Sequence, residues 1–260
     1  EHLLPIEKSR LGVIGGSGFY SMDQIDYLRE LEINTPYGKP SDSIKVYNLG
    51  NLEIAFIPRH GRTHRLNPSE IPYKANIWAL RSIGVRWIIA PSAVGSLQEQ
   101  IRPLDIVVPD QFIDRTTKRI NTYFDGTEVQ HVSMGEPFSA GLRNCLVQAC
   151  EDLEFAHHNG GIVVSIEGPR FSTKAESMLF RSWGCDVINM STVPEICLAR
   201  ELELEYQSIA MSTDYDCWHE DEEEVTMEMI FAVMEKNVHN VKKLIEYVIP
   251  LIKREYELGK

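Results

Sequence analysis

No pair of cysteines in this chain has CxxC spacing, and the five present, Cys145, Cys150, Cys185, Cys197 and Cys217, are odd in number and scattered. This argues against a CxxC zinc module or a disulfide framework, and it fits reduced, mostly buried thiols in a cytoplasmic protein. No run approaches the roughly 20 consecutive apolar residues of a membrane span. The N-terminal stretch from Glu1 to Lys8 has no apolar signal core, so a soluble protein with no membrane partner is expected. Positive charge is scarce: 26 Lys and Arg against 38 Asp and Glu leave a formal charge of −12. A nucleic-acid partner is therefore not expected, and any anion site must be a local pocket within a repulsive field. The GxGxxG spacing of dinucleotide folds and the Walker lysine are both missing. There is no low-complexity linker, repeat or break in composition, so residues 1–260 read as one domain.

What is present is a chain 43% hydrophobic in which short apolar runs alternate with helical patterns. That alternation favours an α/β architecture. Strands are expected at 11–14, 44–49, 52–57, 87–90, 106–108, 163–166, 187–190 and 208–211, several of them continuous β-branched runs suited to burial on both faces. Gly50-Asn51 between the second and third of these predicts a β-hairpin. Apolar residues from Leu142 to Leu153 form a one-sided helical stripe, and those from Met234 to Ile252 a longer one that Pro250 should kink or interrupt. The longer stripe reads as core or subunit contact, with nothing that suggests chemistry. Thr173 with Glu176, and Thr192 with Glu195, have capping-box spacing.

The chemistry-bearing residues gather where strands end. Gly15-Gly16-Ser17-Gly18 follows the first strand; its amides and the Ser17 hydroxyl suit an anion, although a plain tight turn has the same pattern. Pro58-Arg59-His60-Gly61-Arg62-Thr63-His64-Arg65 combines a guanidinium fork matched to phosphate with a histidine donor. The alternatives are a solvated basic loop or a metal pair at His60 and His64, and Gly61 argues against the helix that such a pair needs. Pro91-Ser92-Ala93 and Asn189-Met190-Ser191-Thr192 are expected to be strands breaking into hydroxyl-rich loops, the second entering a helix whose amides attract anions or are merely capped. Phe171 suits stacking on a purine or core packing, and Glu167 and Arg170 suit an internal ion pair. The acidic run Glu220 to Glu224 reads as a solvated loop or helix start, with a metal role the lesser alternative. Asp214 and Asp216, just beyond the apolar run 206–211, offer acceptors for an amino group and a proton for a ring nitrogen, or else simply cap a helix. Gathered in one crevice, such junctions suit an amino-purine nucleoside beside phosphate.

Gly15-Gly-Ser-Gly18, Arg59-His60-Gly61, Ala75 to Leu80, Gln111 to Thr117, Ile166-Glu-Gly-Pro-Arg-Phe171, Asn189-Met190 and Thr213-Asp-Tyr-Asp-Cys-Trp218 resemble, as an ordered set over residues 10 to 250, the trimeric purine nucleoside phosphorylase family. Within it they are most similar to the members that cleave 5′-methylthioadenosine. The resemblance implies an α/β domain with a central mixed, partly barrel-like sheet flanked by helices, and a homotrimer. It also implies that Ser17, Arg59, His60, Ser92 and Ser191 hold phosphate, with Ala93 shared between phosphate and sugar. Met190 would lie against the ribose and Phe171 along the base, with Asp214 and Asp216 addressing adenine. His131 would reach a neighbouring subunit's 5′ pocket, and Met227 and Ile230 would line the methylthio group. Ser17, Ser92 and Ser191 stand where relatives often have threonine, which preserves the hydroxyl. Met227 and Ile230 replace smaller valines, and little chain follows the long helix to serve as the extension that closes the 5′ pocket in some members.

The reaction implied is phosphorolysis of 5′-methylthioadenosine to adenine and 5-methylthioribose 1-phosphate, with phosphate as co-substrate and neither metal nor organic cofactor. Asp214 must then be protonated to assist adenine departure. A carboxyl that ordinarily ionises near about 3.9 would have to be raised by partial burial and the neighbouring Asp216 charge. Cleavage of 5′-methylthioinosine or of purine nucleosides more broadly is the nearest alternative. A nucleosidase and a non-catalytic nucleoside-binding protein stand further off.

Overall fold

A computed structural model describes residues 10–126, 128–219 and 227–257, without the side chains of Met227 and Met229. The acidic run 220–224 and the N-terminal stretch therefore lie outside the described residues. The first half of the chain forms β1 (Arg10–Gly15), β2 (Asp26–Leu31), β3 (Ile44–Leu49), β4 (Leu52–Pro58), α1 (Tyr73–Ser82), β5 (Val85–Ser96), β6 (Ile106–Val108) and β7 (Gln111–Arg115). The second half forms α2 (Ala140–Asp152), β8 (His157–Asn159), β9 (Ile162–Ile166), α3 (Lys174–Ser182), β10 (Val187–Asn189), α4 (Thr192–Glu201), β11 (Glu205–Asp214) and α5 (Met227–Glu255).

The strands join one mixed sheet in the order β2-β3-β4-β1-β5-β10-β9-β7, with β11 on β5 and β6, and β6 on β8. Because β8 runs into β9, the path β5-β10-β9/β8-β6-β11 returns to β5, which is the barrel-like part of the expected fold. Its interior is a small cluster with one residue from each of five strands: Val94, Val107, Val163, Val187 and Ala210. The predicted hairpin is present, with β3 antiparallel to β4 and both turn residues in the left-handed region, Gly50 at φ 55° and Asn51 at φ 65°. Ser139 caps α2 by accepting from the Leu142 amide, and Thr173 forms a full capping box with Glu176 on α3.

Two strands run further than their apolar cores suggest. β5 continues through Pro91 to Ser96 and β11 through Ser212 to Asp214, because each is the other's parallel partner from Glu205↔Trp87 to Asp214↔Gly95. The expected loops at Ser92 and Thr213 are therefore strand, and their hydroxyls are fixed by a ladder. β2, β7 and β8 were not anticipated; their residues are mostly exposed or half-buried, so they carry no apolar run. Thr192 and Glu195 do not form a capping box: Ser191 occupies the cap position, Val193 is non-helical, and the Glu195 carboxylate is committed to Arg59 and Tyr206. Nor does Pro250 interrupt α5, which continues to Glu255; the fully buried Val248 and Ile252 flank the proline and tie that turn to the core.

Candidate active site

The site sits where β5 changes neighbours. One edge of β5 is covered by β11 throughout. The other is paired with β1 up to Ile89 and with antiparallel β10 only from Gly95. Between them, residues 90–94 have no ladder partner on that edge among the described residues, and the sheet forks. Such a fork at strand ends is where open α/β sheets take ligands. Here it opens into a cavity of about 430 Å³ lined by Ser17, Arg59, His60, Ser92, Ala93, Phe171, Met190, Ser191, Asp214, Asp216 and Ile230, among others. This volume is in the range of small-molecule sites.

At one end the fork is held by Arg59. Its Nε and Nη2 donate to the two Glu195 oxygens, each at 2.7 Å, and its Nη1 donates to the Pro91 carbonyl at 3.2 Å. Tyr206 donates to Glu195 at 2.7 Å, and all three side chains are essentially inaccessible. Burial opposes the Arg59 charge, but the Glu195 carboxylate outweighs it and keeps the guanidinium protonated. With Nη2 also donating to the Ile14 carbonyl at 3.5 Å, one Nη1 hydrogen is left for the cavity, a smaller share of the fork than the sequence suggested. Gly16 makes this approach possible, because a Cβ there would lie 2.6 Å from the Pro91 oxygen and 2.8 Å from Arg59 Nη1. The Gly16 amide is itself bonded to the Pro91 carbonyl, so it is not an anion donor.

Around this guanidinium gather the hydroxyls. Ser92 Oγ and Ser191 Oγ are 3.5 Å apart, and Asn189 Nδ2 donates to Ser92 Oγ at 3.2 Å and to Thr192 Oγ1 at 2.7 Å. Ser191 makes no side-chain cap bond, which leaves its hydroxyl to the cavity. His60 Nδ1 lies 2.8 Å from the Leu66 carbonyl, so a neutral ring donates there and presents Nε2 as an acceptor. Burial pushes the His60 imidazole down to about 4 and favours that neutral form. In that neutral form His60 offers Nε2 as an acceptor rather than as the donor the sequence suggested. His60 and His64 stack at 4.3 Å and 7°, a face-to-face geometry that does not converge on a metal.

The other end is acidic. Asp214 Oδ1 accepts from the Asp216 amide at 2.8 Å, and Asp214 Oδ2 is 2.5 Å from Thr213 Oγ1. Asp216 adopts φ 54° and accepts from Ser172 at 3.3 Å. Both carboxyls are buried, whereas Phe171 is 38% exposed at the cavity edge. Gly95 brings the two ends into one frame: a Cβ there would lie 3.2 Å from Asp214 Oδ1. Ser92 precedes it by three residues, about 10 Å at roughly 3.3 Å per strand residue. That spacing leaves room for a pentose between an anion and a base.

Some expectations fall elsewhere. Arg170 pairs with Glu176 at 2.7 Å, and Glu167 instead accepts from Ser69 and the Thr117 amide, so the predicted Glu167–Arg170 pair is not formed. His131 is exposed and outside the cavity wall. The Met227 side chain lies outside the described residues. Met234, in a stripe read as having no chemical role, lines the cavity with Ile230. Glu195 and Thr213 were missed as site-forming residues. Arg119 was missed too; it donates to the carbonyls of Met190, Val193 and Glu167 at 2.5, 2.6 and 2.7 Å and ties three site segments together. A charged residue inside an otherwise apolar segment, as Glu195 is in Thr192-Val-Pro-Glu-Ile-Cys, was the available signal.

A forked, partly closed mixed sheet with hydroxyls and an arginine at one end of a cavity and paired carboxyls at the other defines a nucleoside-phosphorylase type of site. The phosphorylase superfamily model matches residues 10–250, and the chain belongs to that family. It is 53% identical to the S-methyl-5′-thioadenosine phosphorylase of Prochlorococcus marinus over 93% of this chain and 78% of that one. It is 46% identical to the zebrafish (Danio rerio) enzyme of the same name over 94% and 89%. Among solved structures, methylthioadenosine phosphorylase from Schistosoma mansoni in complex with adenine superposes with a TM-score of 0.92 at 38% identity, covering 95% of this chain and 93% of that chain. A mutant of the schistosome enzyme in complex with methylthioadenosine gives 0.91 at 37% identity, over 95% and 92%.

Proposed function

We propose that this protein is a pentosyltransferase that cleaves 5′-methylthioadenosine with phosphate, releasing adenine and 5-methylthioribose 1-phosphate. The observation that carries the reading is a single cavity lined both by the Ser17, Ser92 and Ser191 hydroxyls with Arg59 and by the Asp214 and Asp216 carboxyls. Phosphate sits at Ser17, Ser92 and Ser191, where the hydroxyls donate, Arg59 adds one Nη1 hydrogen, and His60 Nε2 accepts from the phosphate's own hydroxyl. Ala93 lies between phosphate and ribose, and Met190 packs on the sugar. Phe171 covers one face of the base. As the C1′–N9 bond breaks, phosphate neutralises the charge growing on C1′ and then bonds to it. Protonated Asp214 donates to purine N7 and neutralises the departing adenine. Asp216 accepts from the 6-amino group; a 6-oxo purine would set acceptor against acceptor, which disfavours methylthioinosine. Ile230 and Met227 border the 5′ substituent. His131, on an exposed segment with Val129 and Val132, serves the site of an adjacent subunit in a homotrimer, each subunit a single phosphorylase domain. Phosphate is the nucleophile, so the chemistry calls for no cofactor. Free thiols at all five cysteines accord with a cytoplasmic enzyme.

Product analysis with methylthioadenosine, adenosine and methylthioinosine, each with and without phosphate, tests this reading. Adenine and a sugar 1-phosphate are expected from the first in the presence of phosphate only. Free methylthioribose formed equally well without phosphate would make the protein a nucleosidase.

A further inference from the structure

Thr213 stands between two acceptors. Its Oγ1 lies 3.2 Å from the Val94 carbonyl and 2.5 Å from Asp214 Oδ2. A threonine hydroxyl carries one proton and a backbone carbonyl none to give. If Asp214 is ionised, the hydroxyl can donate to only one of its two neighbours. If the proton is on Asp214 Oδ2, both bonds form at once: Oδ2–H donates to Oγ1, and Oγ1–H donates to Val94. Oδ1 accepts from the Asp216 amide in either state. Thr213 and Val94 are buried with Asp214 along the cavity wall, so with substrate filling the cavity an unmade bond here is not replaced by bulk water. The placement follows from the ladder: Ser212 pairs with Val94 and Asp214 with Gly95, which makes Thr213 the extra residue of a bulge between two parallel strands. Bulges beside active sites re-aim side chains in this way.

We propose that Thr213 is a positioning residue that switches hydrogen-bond partner as Asp214 gives up its proton. The inference rests on the phosphorolysis reading above. Before reaction the Thr213 hydroxyl donates to Val94 and accepts from the neutral Asp214 carboxyl. When the C1′–N9 bond breaks and its electron pair passes to the purine, the Asp214 proton goes to N7. The Thr213 hydroxyl then turns from Val94 to donate to Oδ2. The new carboxylate is received by two donors, Thr213 and the Asp216 amide, and charge-assisted bonds of this kind are the stronger ones. Thr213 neither gains nor loses a proton. Asp214 regains one from solvent, matched by the proton that hydrogen phosphate releases on becoming the sugar phosphate dianion.

The test compares Thr213→Val, which keeps shape without the hydroxyl, and Thr213→Ser, which keeps the hydroxyl, on two substrates. One is methylthioadenosine; the other is 4-nitrophenyl 5-methylthioriboside, whose phenolate departs without a proton. Thr213→Val should lower kcat for methylthioadenosine by about 100-fold, while kcat for the nitrophenyl glycoside and the phosphate KM stay within about threefold of wild type. Thr213→Ser should remain within about tenfold of wild type on both substrates. Equal losses on both substrates, or no loss on methylthioadenosine, would overturn the proposal. Should Thr213→Val not fold, infrared spectroscopy of the wild-type protein at neutral pH decides. A protonated-carboxyl band that Asp214→Asn lacks is expected, and its absence would overturn the switch. A wild-type protein inert toward methylthioadenosine and phosphate would instead refute the phosphorolysis reading itself.

Discussion

The two ends of the cavity are built differently. The hydroxyl end is braced from behind: Arg59, Glu195 and Tyr206 form a closed, inaccessible network, and Arg59 spends most of its donors on protein acceptors. At the base end Asp214 and Asp216 are buried, but Phe171 is exposed, and His131 lies off the cavity altogether. The difference is that one end offers fixed dipoles and a largely neutralised guanidinium, which suits the proposed phosphate in a chain of net charge −12. Under the proposed function, the carboxyl end takes its selectivity from edges that the bound nucleoside or a neighbouring subunit completes.

The largest effect should come from the base end. Asp214→Asn is expected to lower kcat on methylthioadenosine by about 10²–10⁴-fold, read from the rate of adenine release, with activity moving toward 6-oxopurines. Unchanged turnover would remove the acid from this end. At the opposite end, Arg59→Ala leaves Glu195 buried without its partner, which costs about 3–5 kcal/mol of stability and should raise the phosphate KM. The double variant Arg59→Met, Glu195→Met sharpens the comparison. Denaturant melts should show most of that stability recovered, while the phosphate KM stays high. Recovery of both would mean that Arg59 serves the fold alone.

Smaller effects separate the ends by pH and by residue. His60 has its proton affinity lowered from 6.5 to about 4 by burial, so the unfolded chain binds protons more readily than the folded one in that window. Stability is therefore expected to be full above pH 6.5 and to fall as pH drops toward 4. His60→Gln should flatten that slope in urea titrations; an unaltered slope would contradict the neutral ring. The smallest change is expected from His131→Ala, a rise in the methylthioadenosine KM of about tenfold with the phosphate KM unmoved. An equal rise in both would remove the distinction between the two ends.

How much of this was legible in the sequence depends on how local the determinant is. The β3–β4 hairpin, the α2 stripe and the Thr173 capping box are set by neighbours a few residues apart, and each is present as read. The strand extensions through Pro91 and Ser212 were not legible, because the register of a distant parallel partner creates them. Polar edge strands such as β2 carry no periodic apolar signal. In the site, the strand-end groups from Ser17 to Asp216 were picked out by residue type, and the cavity does bring them together. What they bond to was hidden. The Glu195 partner of Arg59 lies 136 positions away. The Leu66 carbonyl that fixes the His60 ring is only six positions off, yet a loop path invisible in composition puts it there. Thr213 was passed over as a loop residue beside two more conspicuous aspartates.

The proposed reaction requires phosphate and purine at opposite ends of one cavity, with the acid at the purine. A crystal structure of the protein with phosphate and a non-hydrolysable methylthioadenosine analogue measures this directly. The predicted result is a tetrahedral anion in hydrogen-bond contact with the Ser17, Ser92 and Ser191 hydroxyls and an Asp214 oxygen within hydrogen-bond distance of purine N7. An anion bound elsewhere, or a base turned so that N7 faces away from Asp214, would contradict it.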